Sequence, residues 1–202
     1  MILASTAHTI LQASECIKQG GLIAYPTETV YGLGVDPFNR QALSRLFTAK
    51  GRDAEKALIV LIRGPQDLPA LTTEIPAIAQ SLIDTFWPGP LTLIFKAHPK
   101  LPKELLGGRD TIALRHSSAP IAQSLVETLQ GPLTSTSANR SGAPPAQSAI
   151  EADAQLGNHL DIILDGGPSP QSQPSTVLDI STNTPQILRE GIITSDTLQA
   201  YI

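Results

Sequence analysis

Apolar residues Ile10, Leu11, Ala13, Cys16 and Ile17 recur at helical spacing over 9–18, and the Gly20-Gly21 pair predicts a stop. The run Leu22-Ile23-Ala24-Tyr25 predicts a strand that Pro26 ends. Asn39 is placed to cap a helix whose Ala42, Leu43, Leu46 and Phe47 form one apolar stripe. A loop from Lys50 to Lys56 precedes ALIVLI at 57–62, which has the continuous apolar character of a buried strand. Residues 74–86 predict a helix with Ile75, Ile78, Leu82 and Phe86 on one face, broken by Trp87-Pro88-Gly89-Pro90.

Beyond that break, LTLIF (91–95) and TIALR (111–115) predict strands and 119–129 a helix. PLTSTSAN (132–139) is strand-like, 147–155 weakly helical, and DIIL (161–164) again a strand. STVLDI (175–180) and QILRE (186–190) predict a strand pair, with a short helix after Thr194. Strands alternating with helices, closed by a strand pair, give an α/β fold: one domain over 1–202, its twisted sheet mixed parallel and antiparallel and flanked by helices.

Composition narrows the class. With 41% hydrophobic and 16% charged residues, the 202-residue chain is not disordered. No apolar run reaches the ~20 residues a membrane span needs. The N-terminus lacks a basic segment ahead of a solid apolar block, which predicts no signal peptide. A single cysteine, Cys16, rules out an internal disulfide and fits a reducing compartment, so a soluble cytoplasmic domain is expected.

Charge is unevenly spread. Residues 1–140 carry 13 basic and 11 acidic side chains, whereas 141–202 carry one and seven. Arg40, Arg45, Lys50, Arg52, Lys56 and Arg63 crowd residues 40–63 against only Asp53 and Glu55. That run fits an anion site or a solvated helix face, and both readings stay open.

Several chemistries are excluded by pattern. There is no GxxxxGK[ST] loop, and Pro37 stands where the GxGxxG pattern begun at Gly32 needs its last glycine. His8, His98, His116 and His159 are scattered, so no metal site is expected. Three clusters remain. In YPTETVYGLG (25–34), an extended backbone would put Thr27, Thr29 and Tyr31 on one wall. In Lys50-Gly51-Arg52, two cations flank a flexible glycine and can converge on one anion. In STSAN (135–139), alternation would turn Ser135, Ser137 and Asn139 to one side at a strand end, where open α/β sheets bind ligands.

YPTETVYGLG, the KGR loop, WPGPLTLIF, TIALR, LTSTSAN-SG, PSTVLDI and ILREG follow one another as in the YrdC family of threonylcarbamoyl-AMP synthases, which the chain resembles from about residue 9 to residue 193. The resemblance implies a single-domain form with an open concave active-site cleft. It implies formation of L-threonylcarbamoyladenylate and pyrophosphate from L-threonine, bicarbonate and ATP, with Mg²⁺ expected on the phosphates. The product serves threonylcarbamoylation of the adenosine at tRNA position 37, through a separate transferase complex.

By the same resemblance, Thr27, Tyr31 and Arg115 form the threonine pocket, and Lys50 and Arg52 are the catalytic pair facing the bicarbonate-derived carboxylate and the phosphates. Ser135, Ser137, Asn139, Ser175, Thr176 and Arg189 hold the nucleotide. The sequence departs from the family pattern at Asp53 and Lys56-Ala57 after the KGR loop, and at His116-Ser117 after Arg115. The alternative is a nucleotide- or RNA-binding protein of the same fold without the synthase activity. At net charge −4, any tRNA contact is expected to be weak and accessory.

Overall fold

The structure, a computed structural model, describes residues 1–51 and 57–202. Arg52, Asp53 and Lys56, singled out above, lie outside the described residues. The chain opens with β1 (Ile2–Ala4) and α1 (Ala7–Lys18), followed by β2 (Ile23–Tyr25) and β3 (Gly32–Gly34). Next come α2 (Arg40–Lys50), β4 (Ile59–Leu61), α3 (Leu68–Leu71) and α4 (Ile78–Phe86). The middle of the chain forms β5 (Leu91–Lys96), α5 (Lys103–Leu106), β6 (Thr111–Arg115) and α6 (Pro120–Leu129). Two very short strands, β7 (Leu133–Thr134) and β8 (Thr136–Ser137), precede α7 (Ala149–Leu156) and β9 (Ile162–Asp165). The chain closes with β10 (Thr176–Asp179), β11 (Gln186–Arg189) and α8 (Ser195–Gln199).

Local chemistry sets these boundaries. Thr6 and Thr9 form a reciprocal capping box at the start of α1. The Asn39 side chain accepts from the Gln41 and Ala42 amides, as its position predicts. Helix α2 ends at Gly51, whose left-handed φ of 58° suits glycine. Helix α4 starts at Ile78 rather than near residue 74, because Pro76 disfavours helical geometry at Ile75.

The expected mixed sheet is present as two. Five strands run in the order β1-β9-β2-β3-β8 and six in the order β11-β10-β5-β6-β4-β7, each with parallel and antiparallel pairs. Strand β2 shows how the core divides. Ile23 and Tyr25 pack with Ala13 and Ile17 of α1 and Leu125 of α6, while Ala24 between them joins the main core with Leu33, Leu93 and Leu114. Fully burying one such side chain contributes about 1.5–3 kcal/mol. Among the described residues, no helix is long and apolar enough to cross a membrane.

The segment 132–139 joins the sheets. Leu133 and Thr134 pair with β4 of the six-stranded sheet, whereas Thr136 and Ser137 pair with β3 of the five-stranded one. A chain that changes sheets cannot keep a single alternation. Ser135, Thr136 and Ser137 accordingly all face the same hollow, contrary to the expected two-sided pattern.

Candidate active site

That hollow is a cavity of about 610 Å³ on the face of the six-stranded sheet, within the size range of small-molecule sites. Its floor carries Ile59, Ala113 and Ile94, paired directly across β4, β6 and β5. Its walls carry Thr27, Thr29, Tyr31, Ser135, Thr136, Ser137 and Ser175, with Arg109, Arg115 and Arg189 as cations. The lining described includes no cysteine, histidine, lysine or carboxylate.

Thr27 and Thr29 meet the cavity through a turn rather than an extended strand. Thr27 Oγ1 accepts from the Thr29 amide at 3.1 Å and donates to the Val30 carbonyl at 2.7 Å. The Tyr31 ring is buried, and its hydroxyl donates to the Gly167 carbonyl at 2.7 Å, tying the loop after β9 to the wall. Burial pushes the Tyr31 phenol above its ordinary value.

Arg115, at the end of β6, is only 3% exposed. Its Nε donates to the Gly89 carbonyl at 3.2 Å, and Nη2 lies 2.6 Å from Glu28 Oε1. Gly89 is required there, since a Cβ would come within 2.4 Å of the Phe86 carbonyl oxygen. Glu28 also accepts from the Ser117 hydroxyl and, at 3.3 Å, from the Ser118 amide. Burial raises the Glu28 pKa, but the Arg115 charge and the hydrogen bonds outweigh it and hold the carboxyl below its ordinary value.

At the other end of the sheet, Arg189 donates from Nε and Nη2 to the Ser175 carbonyl at 3.1 and 2.9 Å and from Nη2 to the Ser175 hydroxyl at 3.1 Å. Ser175 Oγ lies 2.9 Å from the buried Thr92 hydroxyl. Desolvation and then the Arg115 charge lower the Arg189 pKa, so the two guanidiniums feel each other across the floor.

Three residues expected in the site are placed beside it. Lys50 is buried, and its ammonium donates to the Ser137 carbonyl at 2.5 Å and the Asn139 carbonyl at 2.9 Å. Asn139 Nδ2 donates to the Arg140 and Ala143 carbonyls, closing the turn after β8. The Thr176 hydroxyl donates to the Ile193 carbonyl at 2.6 Å and accepts from the Gly191 and Ile193 amides. None of the three lines the cavity.

The cationic run divides likewise. Arg40, Arg45 and Arg63 each pair with a carboxylate, of Glu104, Asp161 and Asp67, outside the cavity. Arg40 and Arg45 fit the solvated helix face, being on α2, whereas Arg63 follows β4 and pairs with the buried Asp67. Among the described residues, no group of three or more His, Cys, Asp or Glu is placed to hold a metal ion.

Sequence reasoning missed Arg109 and Glu28. Ala113 and Arg115 of β6 line the cavity by alternation, whereas Arg109 joins them from the bend before the strand, a position that spacing alone does not announce. A buried arginine demands a counter-charge, and Glu28 is the carboxylate within YPTETVYGLG.

Residues 15–191 match the Sua5, YciO and YrdC family model, which bears the description "Telomere recombination". The chain is 38% identical over 190 residues to a threonylcarbamoyl-AMP synthase of Pyrococcus abyssi, a match covering 94% of this chain and 56% of that protein. It is 39% identical over 181 residues to a threonylcarbamoyl-AMP synthase of Coxiella burnetii, covering 90% of this chain and 96% of that one. Its fold is similar to that of P. abyssi Sua5 complexed with L-threonine, with a TM-score of 0.95, 37% identity, and coverage of 100% and 59% of the two chains. It is also similar to E. coli YciO, with a TM-score of 0.86, 29% identity, and coverage of 100% and 97%. The chain thus spans little more than half of the Pyrococcus proteins and nearly all of the other two.

Proposed function

The chain belongs to the Sua5, YciO and YrdC family, and from that premise we propose that it is an L-threonylcarbamoyladenylate synthase. The observation that carries this reading is the cavity wall, where arginines and hydroxyls surround an aliphatic floor. Such a wall suits a reaction between anions that needs no protein nucleophile.

In this reading, the threonine amine and bicarbonate give N-carboxythreonine with loss of water. Its carboxylate oxygen attacks the α-phosphorus of ATP in line, forming the mixed anhydride as the bond to pyrophosphate breaks. The enzyme is therefore a nucleotidyltransferase. Arg115, with Thr27 and Tyr31, takes the threonine. Ser135, Ser137, Ser175 and Arg189 take the nucleotide, and Arg109 adds a cation. Arg52 remains assigned to the bicarbonate-derived carboxylate by resemblance. Lys50 serves the site through the Ser137–Asn139 turn that it pins, and Asn139 and Thr176 shape its borders. Mg²⁺ enters with the ATP phosphates, which hold it chiefly by their own oxygens. The product is then used in tRNA modification by a transferase complex, in the cytoplasm.

The test is pyrophosphate release by the purified protein with ATP and bicarbonate, with or without L-threonine. Release that requires threonine is the expected result. ATP binding without threonine-dependent release contradicts the reading and favours a nucleotide- or RNA-binding protein of this fold.

A further inference from the structure

Arg115 and its counter-charge Glu28 line different hollows. Arg115 lines the cavity; Glu28 borders a separate hollow of about 200 Å³ with Ser118, Pro120 and Ser169, and does not line the main cavity. The carboxylate therefore reaches Arg115 from outside the cavity lining. Arg115 pairs with Glu28 and donates to the Gly89 carbonyl, and Glu28 is itself held by Ser117 and Ser118. A guanidinium this deeply buried carries a large desolvation cost when unpaired. Glu28 offsets that cost and fixes the orientation.

We propose that Glu28 is a positioning residue that sets affinity for the amino-acid substrate by fixing the Arg115 guanidinium in the cavity wall that meets its α-carboxylate. The proposal rests on the reading of the cavity as a threonine site. Glu28 itself touches no substrate. Its effect is confined to the ligand that Arg115 meets, and the nucleotide end of the cavity, around Ser175 and Arg189, does not depend on it.

The test is steady-state kinetics of Glu28→Gln, which keeps the shape and removes the charge, and of Glu28→Asp, which keeps the charge on a shorter arm. In Glu28→Gln, the KM for threonine is expected to rise about 10- to 100-fold, the range of a charge-assisted hydrogen bond. The KM for ATP stays near wild type, and Glu28→Asp falls between the two. A threonine KM unchanged in folded Glu28→Gln overturns the proposal, as does an equal rise in both KM values, which marks a merely structural role. Should Glu28→Gln not fold, Ser117→Ala removes one anchor of Glu28 and keeps both charges. It then must raise the threonine KM alone, and an unchanged value overturns the proposal. Absence of threonine-dependent turnover in the wild type removes the reading of the site, and the proposal with it. That outcome is distinct from a normal wild type beside an unaffected variant.

Discussion

The Thr29 hydroxyl oxygen lies 3.4 Å from each terminal nitrogen of Arg115, so it bridges the fork and holds the guanidinium from the turn that carries Thr27. The direction of its proton follows from its neighbour. Thr27 donates its own proton to the Val30 carbonyl, so across the 2.8 Å contact Thr29 is the donor and Thr27 the acceptor. Thr29 therefore turns lone pairs, not a proton, toward Arg115. Thr29→Val is expected to raise the threonine KM by about 3- to 10-fold, the value of one ordinary hydrogen bond. Varying threonine and ATP separately checks this, and the ATP KM should stay within error.

Lys50 carries a different prediction from the one its motif alone implies. From the sequence, Lys50→Ala is expected to abolish turnover and leave folding intact. Its ammonium, however, holds the Ser137 and Asn139 carbonyls at the end of β8. Removing it should cost about 1.5–3 kcal/mol of stability as well as activity. A thermal melt beside the activity assay checks this, and a melting temperature equal to wild type would contradict it.

Arg189 is the converse case. Its side chain lies on the exposed edge strand, lines the cavity and donates to Ser175. Arg189→Ala should weaken ATP, seen as a raised ATP KM, while the melting temperature moves little. An unchanged ATP KM would remove Arg189 from the nucleotide end of the site.

Acid should destabilise the protein in two stages. His116 is lowered from 6.5 by burial, against the pull of Glu28, Asp67 and Glu127. The unfolded chain thus takes up this proton first, and stability is lost as pH falls from 6.5 to the lower folded value. Glu28 lies below its ordinary value of 4.5, so its contribution is present above 4.5 and is lost as pH falls through its folded value. Melting temperatures measured across these ranges should fall in both. His116→Gln should flatten the upper range and Glu28→Gln the lower, and a slope unchanged by its variant would refute that assignment.

Much of this was legible in the chain because one physical rule decided each element. TIALR forms β6 over Thr111–Arg115, where an apolar run meets no competing signal. Asn39 caps α2, and Thr194 caps α8 where a short helix is expected. What escaped depends on partners distant in sequence. Strand β1 is three residues of mostly exposed chain that exist through pairing with β9, and nothing local announces them. The alternation drawn through Ser135, Ser137 and Asn139 assumes one sheet, and the crossing between two sheets breaks it. Glu28 has no motif of its own. Its role appears only when β6 brings Arg115 beside it across 87 residues of chain.

The most direct test of the account is the mass of the nucleotide product formed from ATP, L-threonine and carbon-13 bicarbonate. A threonylcarbamoyl-AMP species whose mass shifts with the label, and which disappears when threonine is withheld, is the expected product. A nucleotide product that carries no bicarbonate carbon, or that forms equally without threonine, would contradict it.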